Sequence, residues 1–198
     1  MSKKYKIVIF GATGFTGELC ARFMSEKYSD IPIAIAGRSA EKLEKIKNTN
    51  NLPFPIVVAD AFNVNSLEKM CRDTEVVLST AGPYHKYGSD LLGVCVKHGC
   101  HYIDITGEIS IFEIANKLDN EALNSNIVLC PGVGSDVIPT DCLAAYLKDK
   151  LPDATHLKMA WATKGSKSSK GTDKTAVEGM GKGCNIRENG KMKKIKKG

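Results

Sequence analysis

Ile7-Val8-Ile9-Phe10-Gly11-Ala12-Thr13-Gly14-Phe15-Thr16-Gly17 is the stretch on which the reading of the fold turns. Four β-formers run into three glycines, each separated from the next by two residues. That describes a buried strand bending sharply into a helix, and an amphipathic segment over Phe15 to Lys27 follows. At such a turn backbone N–H groups face outward from a helix N-terminus. Glycines also remove the Cβ atoms that would block a pyrophosphate. The spacing is one residue longer between the first two glycines than in the stricter Gly-x-Gly-x-x-Gly fingerprint, and an ordinary strand-to-helix turn is the competing reading.

The cofactor reading comes from the next strand. Pro32-Ile33-Ala34-Ile35-Ala36 ends in Gly37-Arg38-Ser39, with Arg38 twenty-one positions after Gly17. A site for NAD places a carboxylate there to accept the ribose hydroxyls, and a site for NADP places a cation for the 2′-phosphate. This strand ends without an acid. Arg38 offers a planar fork of donors, Ser39 a hydroxyl, and Lys42 a further charge from the first turn of the next helix. The expected cofactor is NADP, against the alternative of a solvated loop arginine.

Working outward, strands and helices alternate: a helix over Ala40 to Lys47, a strand at Ile56 to Ala59, a helix at Val64 to Cys71 and a strand at Val76 to Leu78. A helix over Tyr87 to His98, a strand at His101 to Ile103, one helix over Ile109 to Asn124 and a strand at Ile127 to Leu129 complete the rhythm. Six strands so arranged predict a doubly wound parallel sheet of the Rossmann type over residues 1–130. Ligands then lie outside the carboxyl ends of the strands. Asp60-Ala61 ends the third strand, where an acid meets an adenine amino group or caps the following helix. Ser79-Thr80-Ala81-Gly82-Pro83-Tyr84 ends the fourth. Ser79, Ala81, Gly82 and Pro83 form a small-residue loop suited to ribose and nicotinamide, or a plain turn. The expected cofactor contacts are therefore Gly11, Thr13, Gly14, Phe15, Thr16, Gly17, Arg38, Ser39, Lys42, Asp60, Ala61, Ser79, Ala81, Gly82 and Pro83.

Past Leu129 come a Gly- and Asp-containing stretch, a helix over Cys142 to Lys150 and a strand from His156 to Ala162. From Thr163 the periodicity is lost. Residues 164–198 hold ten Lys and one Arg against Asp173, Glu178 and Glu188, so a chain of net charge +6 carries +8 there. This tail lacks interleaved aromatics and any reader fold, so nucleic acid is not an expected partner, and poor order is expected from about Ser166. No apolar run approaches the roughly 20 residues of a membrane span, and no signal-peptide core follows Met1, so a cytoplasmic protein without membrane insertion is expected. The seven cysteines include no Cys-x-x-Cys, which favours buried thiols over disulfides, and no metal is expected.

As a set, Gly11 to Gly17, Ala36-Gly37-Arg38-Ser39, Gly82-Pro83-Tyr84, His101-Tyr102-Ile103-Asp104-Ile105-Thr106-Gly107-Glu108 and Gly134-Ser135-Asp136-Val137-Ile138-Pro139-Thr140-Asp141 resemble the saccharopine dehydrogenase-like oxidoreductases and their trans-acting enoyl reductase relatives. The Tyr-x-Asp-x-Thr-Gly-Glu element is the most specific part. Where that family often has Gly-Phe-Asp, this chain has Gly134-Ser135-Asp136. The resemblance implies an NADP-dependent oxidoreductase: a Rossmann domain over 1–130, and over 131–198 the start of a second, truncated α/β domain that would complete a cleft for a small-molecule substrate. It leaves a homo-oligomer open.

The acids Asp104, Glu108, Asp136 and Asp141 lie near the expected sheet edge. They fit helix caps and loop ties better than catalysis, so no catalytic residue is assigned. His85 is a proton carrier by chemistry only. Two other functions remain: a non-catalytic NADP-binding module, and a reductase of the short-chain dehydrogenase type using Tyr146 and Lys150, which share a helical face.

Overall fold

The computed structural model describes residues 3–162, 164, 165, 170–180 and 183–195. Strands β1 (Tyr5–Phe10), β2 (Ile33–Gly37), β3 (Ile56–Val58), β4 (Thr74–Ser79), β5 (His101–Asp104) and β6 (Leu129–Cys130) form one sheet in the order β3-β2-β1-β4-β5-β6. Every neighbouring pair is parallel. Val8 stands opposite Ala34 on one side and Val77 on the other. The order reverses between β1 and β4, and this is the doubly wound Rossmann arrangement.

A central parallel strand is covered on both faces, which is why β1 is a continuous apolar run. Ile9 packs with Ile33 and Ile35 of β2 beneath α1 (Phe15–Lys27) and α2 (Ala40–Thr49), which contribute Ala21 and Leu43. Val8 and Phe10 face the other layer, with Leu67 and Met70 of α3 (Val64–Arg72), Leu91 and Leu92 of α4 (Gly88–Lys97), and Ile111 of α5 (Ile109–Lys117). Each fully buried Leu or Ile contributes about 1.5–3 kcal/mol of transfer free energy. Helix starts follow local chemistry: the Ser39 hydroxyl accepts from Lys42 N–H, and the Asn63 side-chain oxygen Oδ1 accepts from Ser66 N–H.

The structure corrects several expectations. The span Ile109 to Asn124 is two helices, α5 and α6 (Asp119–Asn124), with the chain leaving helical geometry at Leu118. Asp119 and Glu121 restart the helix, because acids favour a first turn. Helix α7 begins at Ile138 rather than Cys142 and runs to Lys150, with a proline in its first turn where the missing N–H costs nothing. Residues 156–162 form no strand. They are exposed throughout and pair with no neighbouring strand, without which an extended segment has no ladder to join. Asp60 does not cap α3, since Asn63 does.

Residues 1–160 and 161–198 are separate compact units. In the second, α8 spans Lys170–Gly179, and β7 (Cys184–Glu188) pairs antiparallel with β8 (Lys191–Ile195). No residue of β7 or β8 is buried. The expectation of poor order from Ser166 falls in part on residues 166–169, 181, 182 and 196–198, which lie outside the described residues.

Candidate functional site

Three glycines build the turn after β1, and they do different work. Gly11 has φ +88°, a left-handed conformation that disfavours side chains, and a Cβ there would stand 2.7 Å from Ala81 N. A Cβ on Gly17 would meet Gly11 O at 2.4 Å and Thr80 Oγ1 at 2.6 Å. Both positions are closed by the protein's own backbone. Gly14 is different: its nearest neighbour would be Gly11 O at 3.3 Å, and the residue is exposed. Gly14 is also the N-cap of α1, in extended geometry and with no side-chain cap. The first-turn N–H groups of a thirteen-residue helix are thus left without a side-chain partner behind an open glycine, an arrangement that suits an anion.

The strand ends bring the other sequence-read residues to the same sheet edge. Gly11 N–H and Ala12 N–H donate to Ala36 O at 2.9 and 3.1 Å, and Thr80 N–H donates to Phe10 O at 2.8 Å. These bonds lock the glycine turn between the ends of β2 and β4. Thr13 Oγ1 lies beside Gly37, 4.0 Å from the position of a Cβ there. Arg38 and Lys42 are exposed, and Ser39 is half-buried and engaged as a cap. Asp60 Oδ1 accepts from Phe62 N–H at 3.0 Å, so this acid closes a short turn, with Ala61 packed on the core behind it. Ser79 is buried, and its hydroxyl has no hydrogen-bond partner, a cost of about 1–3 kcal/mol. Pro83 is buried, and Ala81 and Gly82 line the more open part of the loop.

The Tyr-x-Asp-x-Thr-Gly-Glu element proves to be the anchor of two loops. Asp104, at the end of β5, accepts from Thr106 N–H (2.9 Å) and Gly132 N–H (2.7 Å) on one oxygen, and from the Tyr102 hydroxyl (2.5 Å) on the other. Burial pushes its carboxyl above the ordinary 3.8, and the Tyr102, Thr106 and Gly132 donors partly offset that rise. Glu108 accepts from the N–H groups of Tyr84 (2.8 Å) and His85 (2.9 Å), and its Oε2 lies 2.7 Å from His85 Nδ1. Residues 80–87 are therefore held from below by Glu108, while the Tyr84 hydroxyl donates to Ser79 O at 3.1 Å. Burial raises the Tyr84, Tyr87 and Tyr102 phenols, which keeps Tyr84 and Tyr102 protonated as donors. Sequence reasoning assigned no part to Thr80 or Tyr84. The signal for Tyr84 was its place beside Gly82-Pro83 in the family-like set.

Asp136 and Asp141 are exposed. Tyr146 and Lys150 do share one face of α7, but the Lys150 ammonium sits over the Tyr146 ring, 5.5 Å from its centroid, and α7 buries none of its residues. An open groove of about 430 Å³ lies between α7 and residues 151–158, walled by Leu147, Leu151 and Leu157; no cofactor residue read from the sequence lines it. Among the described residues, no helix is long and apolar enough to cross a membrane.

A doubly wound sheet, with a glycine turn and a bare helix N-terminus at its switch point, defines a dinucleotide-binding domain. The family described as "Saccharopine dehydrogenase NADP binding domain" matches residues 7–130, and the chain belongs to it. It is 37% identical over 145 residues to a trans-acting enoyl reductase of Mycobacterium tuberculosis, covering 70% of this chain and 34% of that protein. With the human saccharopine dehydrogenase-like oxidoreductase it shares 30% identity over 207 residues, covering 94% of this chain and 48% of that protein. The chain thus spans a third to a half of these relatives. In fold it is similar to apo saccharopine dehydrogenase (L-Glu forming) from Saccharomyces cerevisiae, with a TM-score of 0.62 at 15% identity over 76% of this chain and 32% of that one. A triphenylmethane reductase of Citrobacter complexed with NADP(H) gives a TM-score of 0.50 at 17% identity, covering 63% and 48%. The domain is an NADP-binding domain with oxidoreductase relatives.

Proposed function

We propose that residues 1–130 hold NADP(H) for hydride transfer to or from a small-molecule substrate, and that residues 131–198 open a second domain belonging to the substrate cleft. The observation that carries this reading is the uncapped N-terminus of α1 behind the open Gly14. Thr13, Gly14, Phe15 and Thr16 border the pyrophosphate, and the backbone N–H groups of the first turn bind it. Gly11 and Gly17 hold the turn in place. Arg38, Ser39 and Lys42 bind the 2′-phosphate, with Arg38 free of any acidic neighbour in its own strand end. Asp60 and Ala61 flank the adenine. Ser79, Ala81, Gly82 and Pro83, in the loop after β4, would border the ribose and nicotinamide.

When bound, NADP supplies the hydride chemistry, and the chain supplies orientation and shielding from water. Asp104 and Glu108 are committed to holding loops, which supports assigning no acid to the chemical step. The exposed sheet edge supports a further expectation: these 198 residues alone bind NADP(H) with little or no turnover, because water is not excluded from the open edge.

Titrating NADP(H) and NAD(H) into the wild type and Arg38→Ala tests the reading. NADP(H) is expected to bind at least tenfold tighter than NAD(H), with Arg38→Ala losing on the order of 1.5–3 kcal/mol for the 2′-phosphate alone. Equal wild-type affinities would overturn it. Turnover by the 198-residue chain that is abolished in Tyr146→Phe would instead support the short-chain dehydrogenase reading, and a longer chain that binds but never turns over would support the non-catalytic module.

A further inference from the structure

The opposite edge of the sheet holds a group of thiols that the cofactor site does not use. Cys71 lies in the last turn of α3, Cys95 in the last turn of α4, and Cys100 follows the Gly99 turn (φ +59°) that leads into β5. Distant in sequence, they converge because α3 and α4 pack side by side over β4 and β5. All three are fully buried, and their sulfur atoms lie within 4.8 Å of one another, with Cys71 Sγ and Cys95 Sγ 3.9 Å apart. A planar three-sulfur site with metal–sulfur bonds of about 2.3 Å has sulfur–sulfur edges of about 4 Å. A disulfide requires about 2.05 Å, so the observed separation suits a shared ion better than a bond between two of the sulfurs.

The surroundings favour a cation. Helices α3 and α4 both end here, presenting the partial negative charge of their C-termini. The Lys3 ammonium already lies on the carbonyls of Cys71 (3.3 Å), Thr74 (2.8 Å), His98 (2.9 Å) and Gly99 (2.7 Å). Held on the Cys71 carbonyl, this ammonium offsets part of the negative charge that thiolates would bring into the core. Among the described residues, no His, Asp, Glu or further Cys completes the set. Structural zinc takes four ligands, whereas soft thiolates with no fourth donor, in a site closed to water, suit a monovalent d¹⁰ ion.

We propose that Cys71, Cys95 and Cys100 form a three-thiolate site for Cu(I). Binding releases the thiol protons and leaves the oxidation state of the copper unchanged. The sulfurs are enclosed, so loading proceeds through opening of the α3 and α4 ends and is slow.

The test uses the full 198-residue chain with Cys20, Cys130, Cys142 and Cys184 replaced by serine, so that only the three core thiols remain. Cu(I) is added anaerobically and then challenged with a chromogenic Cu(I) chelator. One copper per chain is expected to be retained, with three sulfur neighbours at about 2.3 Å by X-ray absorption. Retention is expected to fall at least 100-fold in Cys95→Ala whose circular dichroism matches the parent. No retention in the four-serine chain, retention unchanged by Cys95→Ala, two or four sulfur neighbours, or preference for Zn(II) over Cu(I) would each overturn the proposal. The sulfur count needs no change to the core, so the test stands even where Cys95→Ala fails to fold.

Discussion

The two edges of the parallel sheet obey one electrostatic rule with opposite results. At the carboxyl edge, β1 runs into the N-terminus of α1, so N–H groups face outward and the chain there is open, glycine-rich and exposed at Gly14, Arg38 and Gly82. At the amino edge the helices end, carbonyls face outward, and the chain gathers a lysine ammonium and three buried sulfurs. A sheet whose strands all run one way segregates helix starts from helix ends. One edge of the fold is therefore prepared for anions and the other for cations.

Substitutions at the two edges probe this contrast. The largest expected effect is at Gly17, where a Cβ has nowhere to go: Gly17→Ala should cost about 3 kcal/mol, read by urea denaturation, from overpacking against Gly11 and Thr80. A stability change under 1 kcal/mol would show that the turn relaxes and that its glycines are not packing requirements. Gly14→Val, three residues away, should leave the melting temperature within a few degrees and reduce NADP(H) affinity at least 100-fold, on the order of 2.7 kcal/mol. Unfolding of that variant would erase the distinction between closed and open glycines in the same turn.

At the opposite edge, Lys3→Met leaves four carbonyls without their shared ammonium and is expected to cost about 1–3 kcal/mol with NADP(H) affinity unchanged. Weakened cofactor binding in a folded Lys3→Met chain would show that the two edges are coupled. The smallest expected effect is a pH dependence at Asp104. Burial raises its folded pKa above 3.8, so its protonated form favours the folded state. The stability it contributes is fully present below 3.8 and is lost as pH rises through the raised folded value. Asp104→Asn lacks this titration. Wild-type stability should therefore fall relative to Asp104→Asn as pH rises across that window, and a difference that stays flat or moves the other way would show that the three donors outweigh burial.

Much of the fold was legible because it is written locally. The run Ile7 to Phe10 and the glycines after it specify a covered strand and a turn, whatever lies around them. Asn63 and Asp60 show the limit. Both are good caps, and which one begins α3 depends on how the chain leaves β3. Residues 156–162 carry a strand-like composition but gain no partner, and a strand is a property of two segments. The anchoring function of Glu108 was hidden for a similar reason. Its partners, the N–H groups of Tyr84 and His85, lie on another loop, and backbone donors leave no residue signature.

By itself the sequence determined the alternation of elements, the glycine turn and the family-like set that carries the NADP-binding class, because periodicity and φ preference act over a few residues. Only the tertiary structure decided that Gly11 and Gly17 are closed while Gly14 is open, that Asp104 and Glu108 hold loops, and that Cys71, Cys95 and Cys100 meet. Those are distances between segments far apart in the chain, fixed by the packing of helices on the sheet, and no local pattern encodes them.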